Sequence, residues 1–145
     1  MGQDILKPVV VLAAWSMVMW LWMVAVRMPA MKAAGIDLSK VRGSKPGQLD
    51  SILPPEKQWP AHNYNHLMEQ PTVFYAVAIV IALTATGNGM NAWLAWGYVG
   101  LRILHSIVQA TNNRISVRFV LFGLSSLCLI ALTLHAAMAV FHGQG

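Results

Sequence analysis

The sequence predicts an all-α integral membrane protein, an antiparallel bundle of four spanning helices, and three observations support this prediction. Hydrophobic residues make up 57% of the 145 residues and charged residues only 10%, whereas a soluble domain usually carries about 25% charged residues. The apolar residues come in long blocks without period-two alternation, and lipid permits only helices or closed barrels. The second and third blocks are joined by Gly87-Asn88-Gly89, a tight turn that predicts antiparallel neighbours.

Four apolar blocks define the expected helices, at about residues 8–34, 63–86, 91–111 and 117–141. The first block is too long for the apolar region of a typical signal peptide, so we expect a retained helix. The purely apolar part of the second block, residues 72–86, is shorter than the ~20 residues that a span requires. This helix must therefore recruit polar residues upstream, back to about Asn63. We expect one membrane domain over residues 1–145, with a loop at about 35–61.

The basic residues of the loops predict the topology. The second connection carries no charge, while the first and third connections contain six of the ten Lys and Arg residues: Lys40, Arg42, Lys45, Lys57, Arg114 and Arg118. Cytoplasmic loops collect Lys and Arg, so loops one and three are predicted to be cytoplasmic and both termini to lie outside. The net charge of +5 therefore reflects topology. No nucleic-acid partner is expected, because no basic helix lies outside the apolar blocks.

Each predicted helix places one ionisable residue in the same half of the bilayer: Arg27, Glu69, Arg102 and Arg118. Such charges are costly in lipid, so they normally face a cavity, a partner or a functional site. One carboxylate offsets only one guanidinium, and the surplus of positive charge favours an anionic ligand. The alternative is that Glu69 pairs with Arg102 or Arg27 simply to neutralise charge within the bundle.

Spacing adds a polar stripe to the third helix and a shorter one to the second. On the third helix, steps of four, three, four and three residues align a set of polar side chains on one face: Tyr98, Arg102, His105, Gln109 and Asn112. On the second helix, Asn65, Glu69 and Thr72 share a face, and Pro71 removes a hydrogen bond there and predicts a bend. Together the stripes predict a wet pocket that opens to the cytoplasm.

Other polar residues have simpler interpretations. His105 fits a helix–helix hydrogen bond as well as a ligand contact. His62, His66 and Glu69 have spacings of four and three but lack a third histidine, so we predict no metal site. Cys128 is the only cysteine; it lies within an apolar block and is expected to be a packed, inert thiol.

Two segments resemble the MAPEG family, the membrane-associated proteins in eicosanoid and glutathione metabolism. Residues 61–71 (AHNYNHLMEQP), followed by an apolar helix, are similar to the helix-two signature of that family. Residues 102–109 (RILHSIVQ) are similar to the Arg-x-x-His-Thr segment of microsomal glutathione transferases and prostaglandin E synthase. The resemblance covers nearly the whole chain and suggests a bacterial-type, microsomal glutathione transferase-like branch, hence a multi-pass protein of a bacterial inner membrane.

The resemblance implies a homotrimer that binds glutathione as a co-substrate between adjacent subunits, near the cytoplasmic face, together with membrane lipid and a lipophilic small-molecule substrate. The glutathione-binding residues that it implies are Arg27, Asn65, Glu69, Arg102, His105 and Gln109. Arg118, or alternatively Arg114, matches the arginine that activates the thiol. The implied activity is that of a glutathione S-transferase or peroxidase on lipophilic electrophiles or hydroperoxides.

The chain departs from the family pattern at several positions. Eukaryotic relatives carry an Arg-Ala pair where this chain has Trp59-Pro60-Ala61, and many relatives have tyrosine at the position of Gln109. Asn65 and Glu69 are four residues apart here, and three apart in those relatives. The missing arginine favours a second hypothesis, a non-enzymatic lipid-binding or scaffolding trimer similar to the lipoxygenase-activating member of the family.

Overall fold

The computed structural model describes residues 2–43, 45 and 47–143, and every regular element within these ranges is helical. A short 3-10 helix at Gln48–Ser51 lies in the first loop. The α-helices, numbered in chain order, are α1 (Leu6–Ala33), α2 (Pro55–Leu67), α3 (Gln70–Leu83), α4 (Met90–Ala110) and α5 (Ile115–His142). Since α2 and α3 follow one another almost without a gap, the chain forms the predicted four-helix bundle.

Hydrogen bonds between distant segments confirm the antiparallel arrangement. The amide of Ile5, just before α1, donates to the carbonyl of Gly87 in the α3–α4 turn at 3.0 Å. His135, in the last third of α5, contacts the Asn91 side chain at the start of α4 at 2.5 Å. The start of α1, the α3–α4 turn and the end of α5 therefore meet at one end, here called the closed end. The α1–α2 loop and the α4–α5 turn lie at the opposite end, here called the open end.

The second predicted helix begins earlier than expected and is interrupted. It starts with Pro55 at its first position, rather than at about residue 63, so the first loop is shorter than predicted. α2 ends at Leu67, and α3 begins at Gln70 with Pro71 in its first turn. Proline lacks an N–H and clashes with the preceding turn, so the hydrogen-bond ladder of the helix is interrupted here. The expected bend is a break at Met68 and Glu69.

The membrane character follows from three stretches long and apolar enough to cross a bilayer among the described residues: Leu6–Ala33, Pro55–Leu83 and Ile115–His142. α4 is not among them, since its polar stripe makes it less apolar. At about 1.5 Å per residue, its 21 residues still reach about 32 Å, which matches a hydrocarbon core of about 30 Å. Because α4 connects the closed end to the open end, it crosses the same thickness as its neighbours.

The bundle interior combines apolar packing with an aromatic pair. Phe74 and Tyr98 are fully buried and stacked, with ring centroids 4.5 Å apart and planes inclined by 22°. Leu12, Ile81 and Leu132 are also inaccessible. In contrast, α5 leaves large side chains such as Phe119 and Phe141 exposed. Lipid or another subunit can cover such surface, because the outside of a membrane bundle need not be polar.

Candidate functional site

A cleft of about 460 Å³ lies at the open end, where the α2–α3 break faces α4 and α5. It combines cationic, acidic, amide and apolar side chains, and we name it the cationic cleft. Its lining residues are His66, Glu69, Gln70, Arg102, His105, Ile115, Arg118, Phe119 and Phe122. Four of the eight site residues predicted from the sequence are in this lining: Glu69, Arg102, His105 and Arg118.

Arg102 forms the deep wall of the cationic cleft and is only 2% exposed. Its Nη2 donates to the His66 carbonyl at 3.3 Å, close to the C-terminus of α2. This carbonyl is among the last of the helix, where an acceptor has no partner within its own helix. The guanidinium carbon lies 5.9 Å from the centre of the Phe122 ring. The Nε atom is buried and has no partner among the described residues, so the guanidinium retains unused donor capacity.

Arg118 enters the cleft from the first turns of α5. Its Nη1 donates to the Asn113 side-chain oxygen at 2.7 Å, and its buried Nε has no partner in the described chain. Asn113 occupies the left-handed region with φ of 52°, a conformation that asparagine tolerates well at the end of a helix. Arg114, the alternative to Arg118, is exposed just before α5 and does not line the cleft.

Glu69 lies at the rim of the cleft with its side chain exposed. Within the described residues, it has no cationic side-chain atom within the 4.0 Å that defines an ion pair. The ion pair with Arg102 or Arg27 that would simply neutralise charge is therefore not observed. The backbone carbonyl of Glu69 accepts a bond from the Thr72 hydroxyl at 2.6 Å. The carboxylate, which has no ion pair among the described residues, remains available to a ligand.

The predicted polar stripe on α4 faces the interior of the bundle. Tyr98, Arg102, His105 and Gln109 are all buried, whereas Asn112 is exposed beyond the end of the helix. Gln109 does not line the cleft; its Oε1 lies 2.9 Å from Nδ1 of His66. Gln109 thus ties α4 to α2 behind the cleft.

Arg27 and Asn65 belong to a second cavity, of about 750 Å³, between α1, α2 and the first loop. Arg27 Nη2 donates to the Gln58 side-chain oxygen at 3.3 Å, and Gln58 Nε2 donates to the Leu49 carbonyl at 2.7 Å. Gln58 is 1% exposed, so it holds both the arginine and the first loop. Of the eight predicted site residues, four therefore line the cationic cleft and two line the second cavity, while Gln109 and Arg114 line neither.

Several residues of the site were not predicted from the sequence. Gln70 connects three helices: its Oε1 accepts from the Tyr98 hydroxyl at 3.2 Å, and its Nε2 donates to Ser126 Oγ at 2.9 Å. The apolar wall consists of Ile115, Phe119 and Phe122. Their spacing of four and three residues places them on one face of α5, a pattern that is visible in the sequence. No local pattern distinguishes Gln70, because its partners come from other helices.

Ser106 is a second unpredicted junction. Trp15 Nε1 of α1 donates to its hydroxyl oxygen at 2.9 Å, and the Asn63 side-chain amide of α2 donates to the same oxygen. Ser106 and Asn63 are 0% and 1% exposed. The serine therefore joins three helices beneath the cleft.

The histidines considered for a metal have other partners. His62 Nε2 lies 2.8 Å from a carboxylate oxygen of Asp50, and His66 contacts Gln109. In the described ranges, no three His, Cys, Asp or Glu side chains gather as a metal site would require. Cys128 is a half-buried free thiol of α5 and lies outside the cleft lining.

Comparison with known protein families gives one match. A model of the MAPEG family matches residues 5–138, which include all five helices except the last four residues of α5. Comparison with curated proteins and with solved structures finds no match.

Proposed function

Because this chain belongs to the MAPEG family, we propose that it is a glutathione-dependent membrane transferase or peroxidase that acts on lipophilic electrophiles or hydroperoxides. Glutathione binds in the cationic cleft as a co-substrate. The reaction needs no protein nucleophile and no metal. Arg118 activates the glutathione thiol. The main support for this proposal is the arrangement of charged groups around the cleft.

The observation that carries it is a pair of guanidinium groups with unused donors beside an unpaired carboxylate. Arg102 and Arg118 in the cleft each have a buried Nε without a partner among the described residues, as does Arg27 in the second cavity. Glu69 at the rim lacks an ion pair within the same residues. Glutathione carries two carboxylates and one ammonium group. Charge-assisted bonds from the arginines to the carboxylates, and from the ammonium to Glu69, would satisfy both partners.

The electrostatics suffice for thiol activation. A free thiol has a pKa near 8.5, so half ionisation at neutral pH needs a shift of about 1.5 units, or roughly 2 kcal/mol. A guanidinium about 4 Å from the sulfur contributes about 4 kcal/mol at an effective dielectric constant of 20. One arginine is therefore enough. Arg118 fits this role better than Arg114, which is exposed outside the cleft.

The lipophilic partner approaches along the apolar wall of the cleft. Ile115 and Phe119 are 77% and 76% exposed, and Phe122 is 43% exposed, so a substrate dissolved in the bilayer can reach the sulfur sideways. In transfer, the thiolate forms a C–S bond with an electrophilic carbon, and the bond from that carbon to its leaving group breaks, so that the leaving group departs as an anion with the bonding electron pair. In peroxide reduction, the thiolate attacks the terminal oxygen, the O–O bond breaks, and with one proton from water the products are an alcohol and the sulfenic acid of glutathione. A second glutathione then condenses with this sulfenic acid to give glutathione disulfide and water.

We also propose a homotrimer with the open end towards the cytoplasm. In one subunit, Arg27 and Asn65 lie in the second cavity rather than in the cationic cleft. Contact between subunits would bring this second group to the ligand. Exposed apolar side chains on α5 supply surface for such contacts. The basic loops at the open end favour the cytoplasmic side.

The decisive experiment compares two arginines four residues apart. Purified protein is titrated with glutathione, thiolate is followed by its ultraviolet absorbance, and conjugation and peroxide reduction are then assayed. Arg118→Ala should abolish the thiolate signal, because it removes the charge that stabilises the thiolate. Arg114→Ala is the matched control and should retain the signal. Equal losses in both variants would contradict the role of Arg118, and absence of thiolate and turnover in the parent protein would remove the enzyme proposal.

One observation favours a second candidate, a non-enzymatic lipid-binding or scaffolding trimer. The second cavity is larger than the cleft and is lined mainly by apolar side chains, with Arg27 at its polar part. Such a lining fits an amphiphile with an anionic head. Binding of a fatty acid by a protein that never forms glutathione thiolate would support this candidate.

A further inference from the structure

A third cavity, of about 420 Å³, lies at the closed end of the bundle, opposite the cationic cleft. The segment before α1, the first turn of α1 and the first two turns of α4 form it. Its lining consists of Asp4, Lys7, Gly89, Ala92, Trp93 and Trp96. None of these residues takes part in the proposed glutathione chemistry.

The cavity contains one positive and one negative side chain. Lys7 Nζ lies 2.9 Å from a carboxylate oxygen of Asp4, and the two side chains are 70% and 53% exposed. No other residue of the lining is charged. An exposed ion pair contributes little to stability, so its charges remain available to a ligand that carries both signs.

The backbone holds this ion pair in place. The amide of Asp4 donates to the Asn88 side-chain oxygen at 3.4 Å, and the next amide, that of Ile5, donates to Gly87. The Asp4 carboxylate takes no part in these bonds. A substitution that removes its charge therefore leaves the attachment of the N-terminal segment intact.

Two indole rings and nearby apolar side chains complete the surface. Trp93 is 77% exposed and Trp96 is 40% exposed, at the start of α4. Tryptophan is enriched where a membrane helix meets the headgroup region, and its ring attracts cations. Val10 and Val11, three and four residues after Lys7 on α1, and Met90, which follows Gly89, are also exposed and offer apolar surface.

We propose that this cavity binds the headgroup of a zwitterionic phospholipid, specifically the phosphoethanolamine type. Lys7 contacts the phosphate, while Asp4 and the indoles contact the ammonium group, and the acyl chains lie along the exposed apolar side chains. Both charges of the protein and both charges of the lipid find partners. A headgroup that has a phosphate but lacks the ammonium would leave Asp4 facing an anion.

The test compares two lipids that share the phosphate and differ in the ammonium. The full-length protein is reconstituted in vesicles of equal phosphatidylethanolamine and phosphatidylglycerol, extracted gently, and examined by native mass spectrometry for retained lipid. We expect phosphatidylethanolamine to be preferred. Asp4→Asn should reduce this preference about threefold, the size expected for one half-exposed charge contact, and Lys7→Gln should reduce retention of both lipids.

The chain provides a matched control in a second exposed ion pair of the same spacing. Lys40 Nζ lies 3.7 Å from a carboxylate oxygen of Asp37 in the first loop, and neither residue lines the third cavity. Asp37→Asn should leave the lipid preference unchanged. Equal retention of the two lipids, or equal effects of Asp4→Asn and Asp37→Asn in variants that keep the parent helix content, would overturn the proposal. Because the assay contains no glutathione, its result is independent of the proposed enzymatic function.

Discussion

The two ends of the bundle differ in how the same four helices contact one another: through polar side chains at the open end and through closely packed backbone at the closed end. At the open end, buried polar side chains link the helices, and three arginines there (Arg27, Arg102 and Arg118) keep a buried Nε without a partner among the described residues. At the closed end, backbone lies against backbone, and a Cβ atom on Gly87 would be only 2.0 Å from the Gly2 carbonyl oxygen. Unsatisfied polar groups are costly in lipid, whereas close packing stabilises a membrane bundle. The comparison indicates that close packing at the closed end stabilises the fold. At the open end, polar groups without partners reduce stability but supply donors for a binding site.

The largest expected effect contrasts two residues of α5. Leu132 is 0% exposed and Phe119 is 76% exposed. Leu132→Ala should lower the free energy of unfolding by about 2–5 kcal/mol, because it leaves a cavity in the core. Phe119→Ala should change it by less than about 0.5 kcal/mol and raise the KM for the lipophilic substrate. Denaturant unfolding in mixed micelles and steady-state kinetics measure the two effects. Equal destabilisation would show that Phe119 packs against another subunit.

Glycines test the close packing of the closed end. Gly87→Ala should cost about 1–3 kcal/mol of unfolding free energy, because the added methyl group meets backbone atoms of the N-terminal segment. Gly100→Ala is the control: apart from its own helix backbone and chain neighbours, no atom of the described residues lies within 4 Å of a Cβ added at this α4 residue, and alanine favours the helix. Thermal unfolding of both variants in detergent provides the measurement. A Gly87→Ala protein as stable as the parent would contradict the proposed role of this contact.

A smaller effect is expected for the serine beneath the cleft. Ser106→Ala removes the acceptor of both the Trp15 indole and the Asn63 amide. Side-chain hydrogen bonds between membrane helices contribute about 0.6 kcal/mol each on average to stability. For the loss of two such bonds, we expect the free energy of unfolding to fall by about 1–2 kcal/mol. Chemical unfolding and the fluorescence of Trp15 report the loss. Ser125→Ala is the matched control, since among the described residues that buried hydroxyl donates only to the Phe122 carbonyl of its own helix. An equal loss there would argue against Ser106 as a junction.

The smallest expected effect is the pH dependence of the first loop, at the open end, where the Asp37 carboxyl group titrates. Hydrogen bonds from the Ser39 hydroxyl and amide lower the pKa of Asp37 below its usual value of 3.8. Because the pKa is lowered on folding, these bonds stabilise the loop fully when the pH is above 3.8, the usual pKa of the free carboxyl. The stabilisation is lost as the pH falls through the lower pKa of the folded state. Carboxyl NMR titration of Asp37 should show the low pKa, and Ser39→Ala should bring it back towards 3.8. A pKa that does not respond to Ser39→Ala would contradict this cause.

Much of the fold was readable from local patterns. Four apolar blocks gave four helices, and Pro71 indicated where the second helix is interrupted. The step pattern on α4 identified a face that is buried at Tyr98, Arg102, His105 and Gln109. These features depend on the helical period and on the missing N–H of proline, so a single segment contains all the information. The start of α2 at Pro55 was not expected, because its first two turns are polar and resemble a loop.

The sequence by itself determined that the chain is helical, that it belongs in a membrane, and that positive charge gathers in one half of it. Only the tertiary structure decided which charges share a cavity: it grouped Arg102 with Arg118 and Glu69, and separated Arg27 with Asn65. It alone revealed Gln70 and Ser106 as junctions. The physical reason is that hydropathy and period are properties of one helix, whereas a site depends on which faces of different helices meet.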